Sequence, residues 1–320
     1  MNALVAWTLT TGAAGMRTQA RGLAEAVADT VIEKTITVGA PWSWLPAGAL
    51  PFALRGVSGD PVAPPWPDLV VSCGRKSAIA AAAIRKASGG RTVVAHVQDP
   101  LADPKRFDLV VALPHDRVKG PNVLNVLTAL HDVTPAKLEA AADAWRERFA
   151  PLGKPLVGVI LGGATRGRDF TVEDGQTLID RLQAMRAESG AGLAITPSRR
   201  TPEAVRALFR QAFADDPRVF VWDLNDPNPY RGILALADRL VVTSDSLSMV
   251  SEAISTPHPV EVFDLELEGG RHAGFLQNML EAGLVRRFEG EAEPPTKSTA
   301  KEATRQAADA VKAILAKRGV

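Results

Sequence analysis

Short, uninterrupted apolar runs recur along this chain, each followed by a polar loop and then by helical spacing. A run without polar alternation suits a parallel strand buried on both faces. Strand–helix alternation builds such strands into a sheet covered by helices. In a first series, Ala3–Thr8, Lys34–Val38, Asp68–Ser72, Thr92–Val97, Leu109–Leu113 and Val123–Val126 read as strands. Met16–Ala28, Gly74–Ala87 and Pro135–Phe149 read as their helices. Leu152-Gly-Lys-Pro155 reads as a linker, after which the alternation restarts. The second series has strands at Leu156–Leu161, Leu193–Thr196, Val219–Trp222, Arg239–Thr243 and Val260–Phe263. Its helices are Val172–Glu188, Thr201–Ala214, Pro229–Ala237, Leu247–Ile254 and Ala273–Ala282, with a last helix over Thr299–Lys317. The expectation is an α/β chain of two doubly wound Rossmann-like domains. Ligands of such sheets sit beyond the carboxyl ends of the strands, so the polar loops are expected to face an interdomain cleft.

Composition narrows the function classes. A chain of 320 residues is long enough for two cores. Its formal net charge of +1 argues against a nucleic-acid partner held by overall charge. A single cysteine, Cys73, excludes an intramolecular disulfide and fits a reducing, cytoplasmic compartment. It ends an apolar run and reads as a buried thiol. No apolar run approaches the roughly 18 residues of a spanning helix, and the N-terminus opens on a strand rather than a signal peptide. Pro41–Pro46 and Leu50–Leu54 gather large apolar residues in a Pro-rich stretch. They read either as core or as a peripheral membrane contact.

The loops carry the candidate chemistry. Ser244, Asp245 and Ser246 form a turn between a strand and a helix, and Ser246 can cap that helix. The first N–H groups there lack intrahelical partners, and the dipole favours a phosphate. Ser248 follows in the same turn. Glu252 lies further along, where a carboxylate can grip sugar hydroxyls. A nucleotide-sugar presents both groups. Gly162, Gly163, Thr165, Arg166 and Arg168 follow another strand, and guanidinium forks suit phosphate oxygens. Ser198 and Arg199 repeat the theme. Thr11, Gly12 and Gly15 open the first helix. Arg75 and Lys76 place cations at a helix start, where the dipole disfavours them, and this points to an anionic ligand. His96 with Asp99, Asp99 alone, or His115 are candidate general bases at strand ends. Each of these also reads plainly as a turn, a cap or a core histidine. G-x-G-x-x-G, G-x-x-x-x-G-K-[ST] and G-x-S-x-G are absent, as is His/Cys metal spacing. No cofactor or metal is expected, and a nucleotide-sugar would be a substrate.

These loops resemble those of the mitochondrial fission ELM-type proteins of plants and their bacterial relatives. The likeness runs through Thr11–Ala24, Ser72–Ser77, His96–Pro100, Gly162–Thr165, Thr196–Thr201 and Thr243–Ala253, and spans residues 1–290. The plant members are associated with mitochondrial division and recruitment of a dynamin-like protein. That opens a reading as a non-catalytic scaffold with Trp42 and Trp44 as its contact surface. More distantly, the family is similar to glycosyltransferases of the B fold, including the lipid-linked N-acetylglucosaminyltransferase of peptidoglycan synthesis. That resemblance implies a nucleotide-sugar side at residues 153–295, with Gly162–Thr165 and Ser244–Glu252 on the donor. It implies an acceptor side at residues 1–152 and a closing segment, 296–320, that returns to it. The expected activity is metal-independent sugar transfer to an unknown acceptor, which the comparison suggests is lipid-linked. A nucleotide-sugar epimerase is the further alternative.

Overall fold

The computed structural model describes residues 3–40, 44, 53–165, 168–225, 227–265, 270–297 and 302–319. The chain divides into two compact units, residues 1–132 with 301–320, and residues 133–300.

In the first unit the strands are β1 (Val5–Thr10), β2 (Thr30–Val38), β3 (Val57–Gly59), β4 (Leu69–Cys73), β5 (Val93–Val97), β6 (Leu109–Ala112) and β7 (Val123–Asn125). They form one sheet in the order β3-β2-β1-β4-β5-β6-β7. All pair in parallel except β3, an antiparallel edge strand on β2. That edge is a departure from the expected all-parallel sheet. The helices are α1 (Ala14–Glu25), α2 (Arg75–Ala87) and, from the chain's end, α9 (Ala303–Lys317). Every residue of β4 and β5 is buried, as their unbroken apolar runs demand. The Ala-rich face of α2 packs on Trp7, Leu9, Val70, Val94 and Val110. Thr304 ties α9 down, bonding both backbone groups of His131 at 3.1 Å.

The second unit holds β8 (Leu156–Leu161), β9 (Gly192–Pro197), β10 (Val219–Val221), β11 (Arg239–Thr243), β12 (Val260–Phe263) and β13 (Arg286–Arg287). These pair in parallel in the order β10-β9-β8-β11-β12-β13. Its helices are α3 (Pro135–Phe149), α4 (Val172–Ser189), α5 (Glu203–Ala212), α6 (Tyr230–Leu236), α7 (Leu247–Ile254) and α8 (Gly270–Glu281). The α3 helix groups here, although its position before the linker had placed it with the first domain. Its aromatic face explains this. Trp145 and Phe149 stack against Phe220 of β10, with ring centroids 6.2 and 5.5 Å apart.

In each sheet the chain winds outward from a central pair, β1 and β4 in the first and β8 and β11 in the second. Those are the switch points, beside which ligands of doubly wound sheets bind. Among the described residues no helix is long and apolar enough to cross a membrane. Of the Pro- and Trp-rich stretch, Trp42 lies outside the described residues, while Trp44 is 74% exposed.

Candidate functional site

At the second switch point three loops knit together. They follow β8 (Gly162–Thr165), β9 (Ser198–Thr201) and β11 (Ser244–Ser246). Asp245 is the knot, with its side chain fully buried. It accepts hydrogen bonds from Gly163 N (2.8 Å), Thr243 Oγ1 (2.6 Å) and Arg200 Nη2 (2.9 Å). Gly162 N donates to Thr243 Oγ1 at 2.8 Å, and its carbonyl accepts from Ser198 Oγ at 2.9 Å and from Thr201 Oγ1. A Cβ on Gly162 would fall 2.1 Å from the Asp245 carboxylate, and one on Gly163 would fall 2.1 Å from the Arg200 carbonyl. The two glycines are therefore needed for the protein's own close packing. Their N–H groups both serve internal acceptors, Thr243 Oγ1 and the Asp245 carboxylate.

The arginines divide by task. Arg168 is committed to structure, donating to the carbonyls of Leu265 (2.8 Å) and Asp169 (3.2 Å) and to Asp174 Oδ1 (2.8 Å). Arg166 lies outside the described residues. Arg199 is exposed and has no partner among the described residues. Its neighbour Arg200, not singled out from the sequence, reaches Asp245 and the Ala164 carbonyl at 3.1 Å. Ser246 caps α7, accepting from Met249 N at 3.4 Å. The first turn of α7 carries no acidic residue, and Ser248 there is half-buried. Ser244 donates to Asp264 and accepts from Leu265 N at 2.9 Å, an internal role. Glu252 is buried and accepts from Tyr230 Oη at 2.6 Å. Tyr230 is the chain's only tyrosine, and nothing in its turn-like surroundings marks it in the sequence.

In the first unit, Thr11, Gly12 and Gly15 follow β1, while Arg75 and Lys76 open α2 after β4, on the adjacent strand. Gly12 adopts a left-handed φ of +90°, and its N–H bonds Thr10 Oγ1 at 3.2 Å. Of the candidate bases, His96 lies near the end of β5, Asp99 follows that strand, and His115 follows the neighbouring β6. His96 is fully buried, its Nδ1 2.8 Å from Ser72 Oγ and its ring 5.1 Å from that of Phe107. It packs as a core histidine. Asp99 is half-buried, and its Oδ1 accepts from Leu101 N at 2.8 Å. His115 is half-buried, its Nε2 4.0 Å from Asp116 Oδ1. Among the described residues, no three His, Cys, Asp or Glu side chains are grouped to hold a metal ion.

Burial pushes the His96 pKa down to about 3. The unfolded chain then binds one more proton than the folded chain between that value and the ordinary 6.5. Stability is thus full above about pH 6.5 and falls as pH drops toward 3, by about 1.4 kcal/mol per unit. Urea titrations at pH 7 and pH 5 are expected to show this loss in the parent. In His96→Leu that part of the pH dependence disappears. Equal slopes in both proteins would contradict it.

Residues 14–315 match the sequence model of the family described as Mitochondrial fission ELM1. The chain belongs to this family. It is 34% identical over 269 residues to Mitochondrial fission protein ELM1 of Arabidopsis thaliana, covering 75% of this chain and 63% of that protein. It thus spans less than two thirds of the plant relative's length. It is also 24% identical over 256 residues to the uncharacterized protein RP120 of Rickettsia prowazekii (strain Madrid E), covering 69% of this chain and 72% of that one. Among solved structures it is similar to the UDP-GlcNAc 2-epimerase of Neisseria meningitidis bound to UDP-GlcNAc. The TM-score is 0.54 at 13% identity, covering 98% of this chain and 99% of that one. The putative UDP-N-acetylglucosamine 2-epimerase of Listeria monocytogenes gives 0.53 at 12% identity, covering 99% and 90%. At such identities the likeness shows the fold alone, which is glycosyltransferase-B-like, with two Rossmann-like sheets.

Proposed function

We propose that this family member is a glycosyltransferase-like protein. Its second unit would hold a nucleotide-sugar and its first an acceptor, lipid-linked or soluble. The observation that carries this reading is the convergence of the β8, β9 and β11 loops at the second switch point, locked by Asp245. Because the Gly162–Gly163 donors are spent internally, the diphosphate is assigned to the start of α7, at Ser246 and Ser248, and to Arg199. Glu252, held by Tyr230, takes ribose or sugar hydroxyls. In the reaction the bond from the sugar's anomeric carbon to the phosphate oxygen breaks. A bond to the acceptor oxygen forms, and the acceptor proton passes to a base. Asp99 is the first candidate for that base and His115 the second. Charge on the leaving diphosphate is stabilised by Arg199 and the α7 dipole, with no metal required. The protein would work in the cytoplasm, against a membrane when the acceptor is lipid-linked.

The exposure of Trp44 supports a second reading, a non-catalytic adaptor that keeps the fold and presents this side chain to a partner. One experiment separates the readings. Incubate the protein with nucleotide-sugars, with and without membrane-extracted acceptors, and analyse products by mass spectrometry and by NMR, which distinguishes epimers of equal mass. Acceptor-dependent release of nucleotide diphosphate supports transfer. A changed sugar without acceptor marks an epimerase instead. No turnover under any condition removes catalysis and leaves the adaptor.

A further inference from the structure

The first switch point holds a polar corner that nothing above explains. Gly74 has a left-handed φ of +88°, and a Cβ there would lie 2.7 Å from Met16 Sδ of α1. The starts of α1 and α2 therefore meet. Neither helix has a side-chain cap, and neither carries an acidic residue in its first turn. Their first N–H groups lack intrahelical partners. Arg75 and Lys76 stand exposed at that point, with no partner among the described residues.

Beneath them lies a second, independent observation. Ser77, in the first turn of α2, is fully buried, and its Oγ has no hydrogen-bond partner among the described residues. Helical side chains tilt toward the helix N-terminus, so this hydroxyl leans into the corner. His96 Nε2 is likewise buried and has no partner among the described residues. Ser72 and His96 pair in register two residues beyond Val70 and Val94, which pack on α2. The same face therefore carries Ser72 and His96 toward α2. Unpartnered polar atoms in an apolar layer are rare because they lose hydration without compensation.

We propose that the β4–α2 corner, Gly74 to Ser77, binds the phosphate of a phosphomonoester or diphosphate. Arg75 and Lys76 supply charge, and the first-turn N–H groups of α2 and Ser77 Oγ supply donors. The site deepens the reading of the first unit as the acceptor side and rests on it only for what carries the phosphate. Binding is measured without a donor, so its failure and a failure of sugar transfer are distinct results.

The test titrates the full chain with inorganic pyrophosphate by calorimetry and by thermal shift. Saturable binding is expected. Arg75→Ala/Lys76→Ala weakens it by about tenfold or more, and Ser77→Ala by about threefold to tenfold. Without ligand, Ser77→Ala melts at or above the parent temperature, because it removes an unpaired hydroxyl. Its pyrophosphate-induced rise in melting temperature is smaller than the parent's. A merely structural serine would lower the unliganded value instead. Vesicles of phosphatidylcholine with and without phosphatidic acid identify the source. Phosphatidic-acid-dependent sedimentation, competed by pyrophosphate, assigns a lipid headgroup. Pyrophosphate binding without sedimentation assigns a soluble phosphate. No binding to either probe, or binding unchanged in both variants, overturns the site.

Discussion

Glu261→Ala is expected to cost the second unit about 3–5 kcal/mol, measured as a drop in the urea midpoint. Glu261 is fully buried on β12. Its carboxylate accepts from Arg239 Nε, itself buried on β11, and from Arg286 Nη2 of β13 at 2.7 Å. Arg239 Nη1 goes on to the carbonyls of Glu291 (2.9 Å) and Ala292 (3.1 Å), and its guanidinium lies over Phe288. Removing Glu261 leaves the buried Arg239 guanidinium without its carboxylate partner. Arg286 is 39% exposed, so Arg286→Ala leaves a solvated vacancy and costs about 1 kcal/mol or less. Equal effects of the two substitutions would show that burial does not set the cost.

Asp245→Ala is expected to lower stability by about 3 kcal/mol and to weaken nucleotide binding at least tenfold. The substitution leaves Gly163 N–H without its acceptor and frees Thr243 and Arg200. It also empties a space lined by a backbone donor, a hydroxyl and a guanidinium, which is an anion site of the protein's own making. Added acetate should therefore restore part of the lost melting temperature in Asp245→Ala and change the parent little. Absence of rescue, with a loss of stability below about 1 kcal/mol, would show that Asp245 does not lock the three loops.

The two predictions also mark where the sequence was readable. Leu156–Leu161, Arg239–Thr243, Pro135–Phe149 and Leu247–Ile254 have the same bounds in the structure as in the sequence, because unbroken apolar runs and helix caps are local signals. The edge strand β3 was hidden in a Pro-rich stretch, and β13 is only two residues long. Arg199 and Arg200 are neighbours whose directions depend on the turn after β9, so nothing in the sequence chose Arg200 as the partner of Asp245. His96 was legible in principle. It lies two residues beyond Val94 on one strand face, and period two places both inward. Ser77 sits in the first turn of an Ala-rich helix, and its missing partner appears only once the layer beneath is built.

The most direct test of the account is calorimetric titration of the full chain with a panel of nucleotide-sugars, beside Arg199→Ala and Glu252→Gln. Saturable binding of at least one donor is expected, weakened about tenfold in each variant and unaltered by Arg75→Ala/Lys76→Ala. If no donor binds at millimolar concentration, or if one binds with equal affinity in both second-unit variants, the proposed donor site is contradicted.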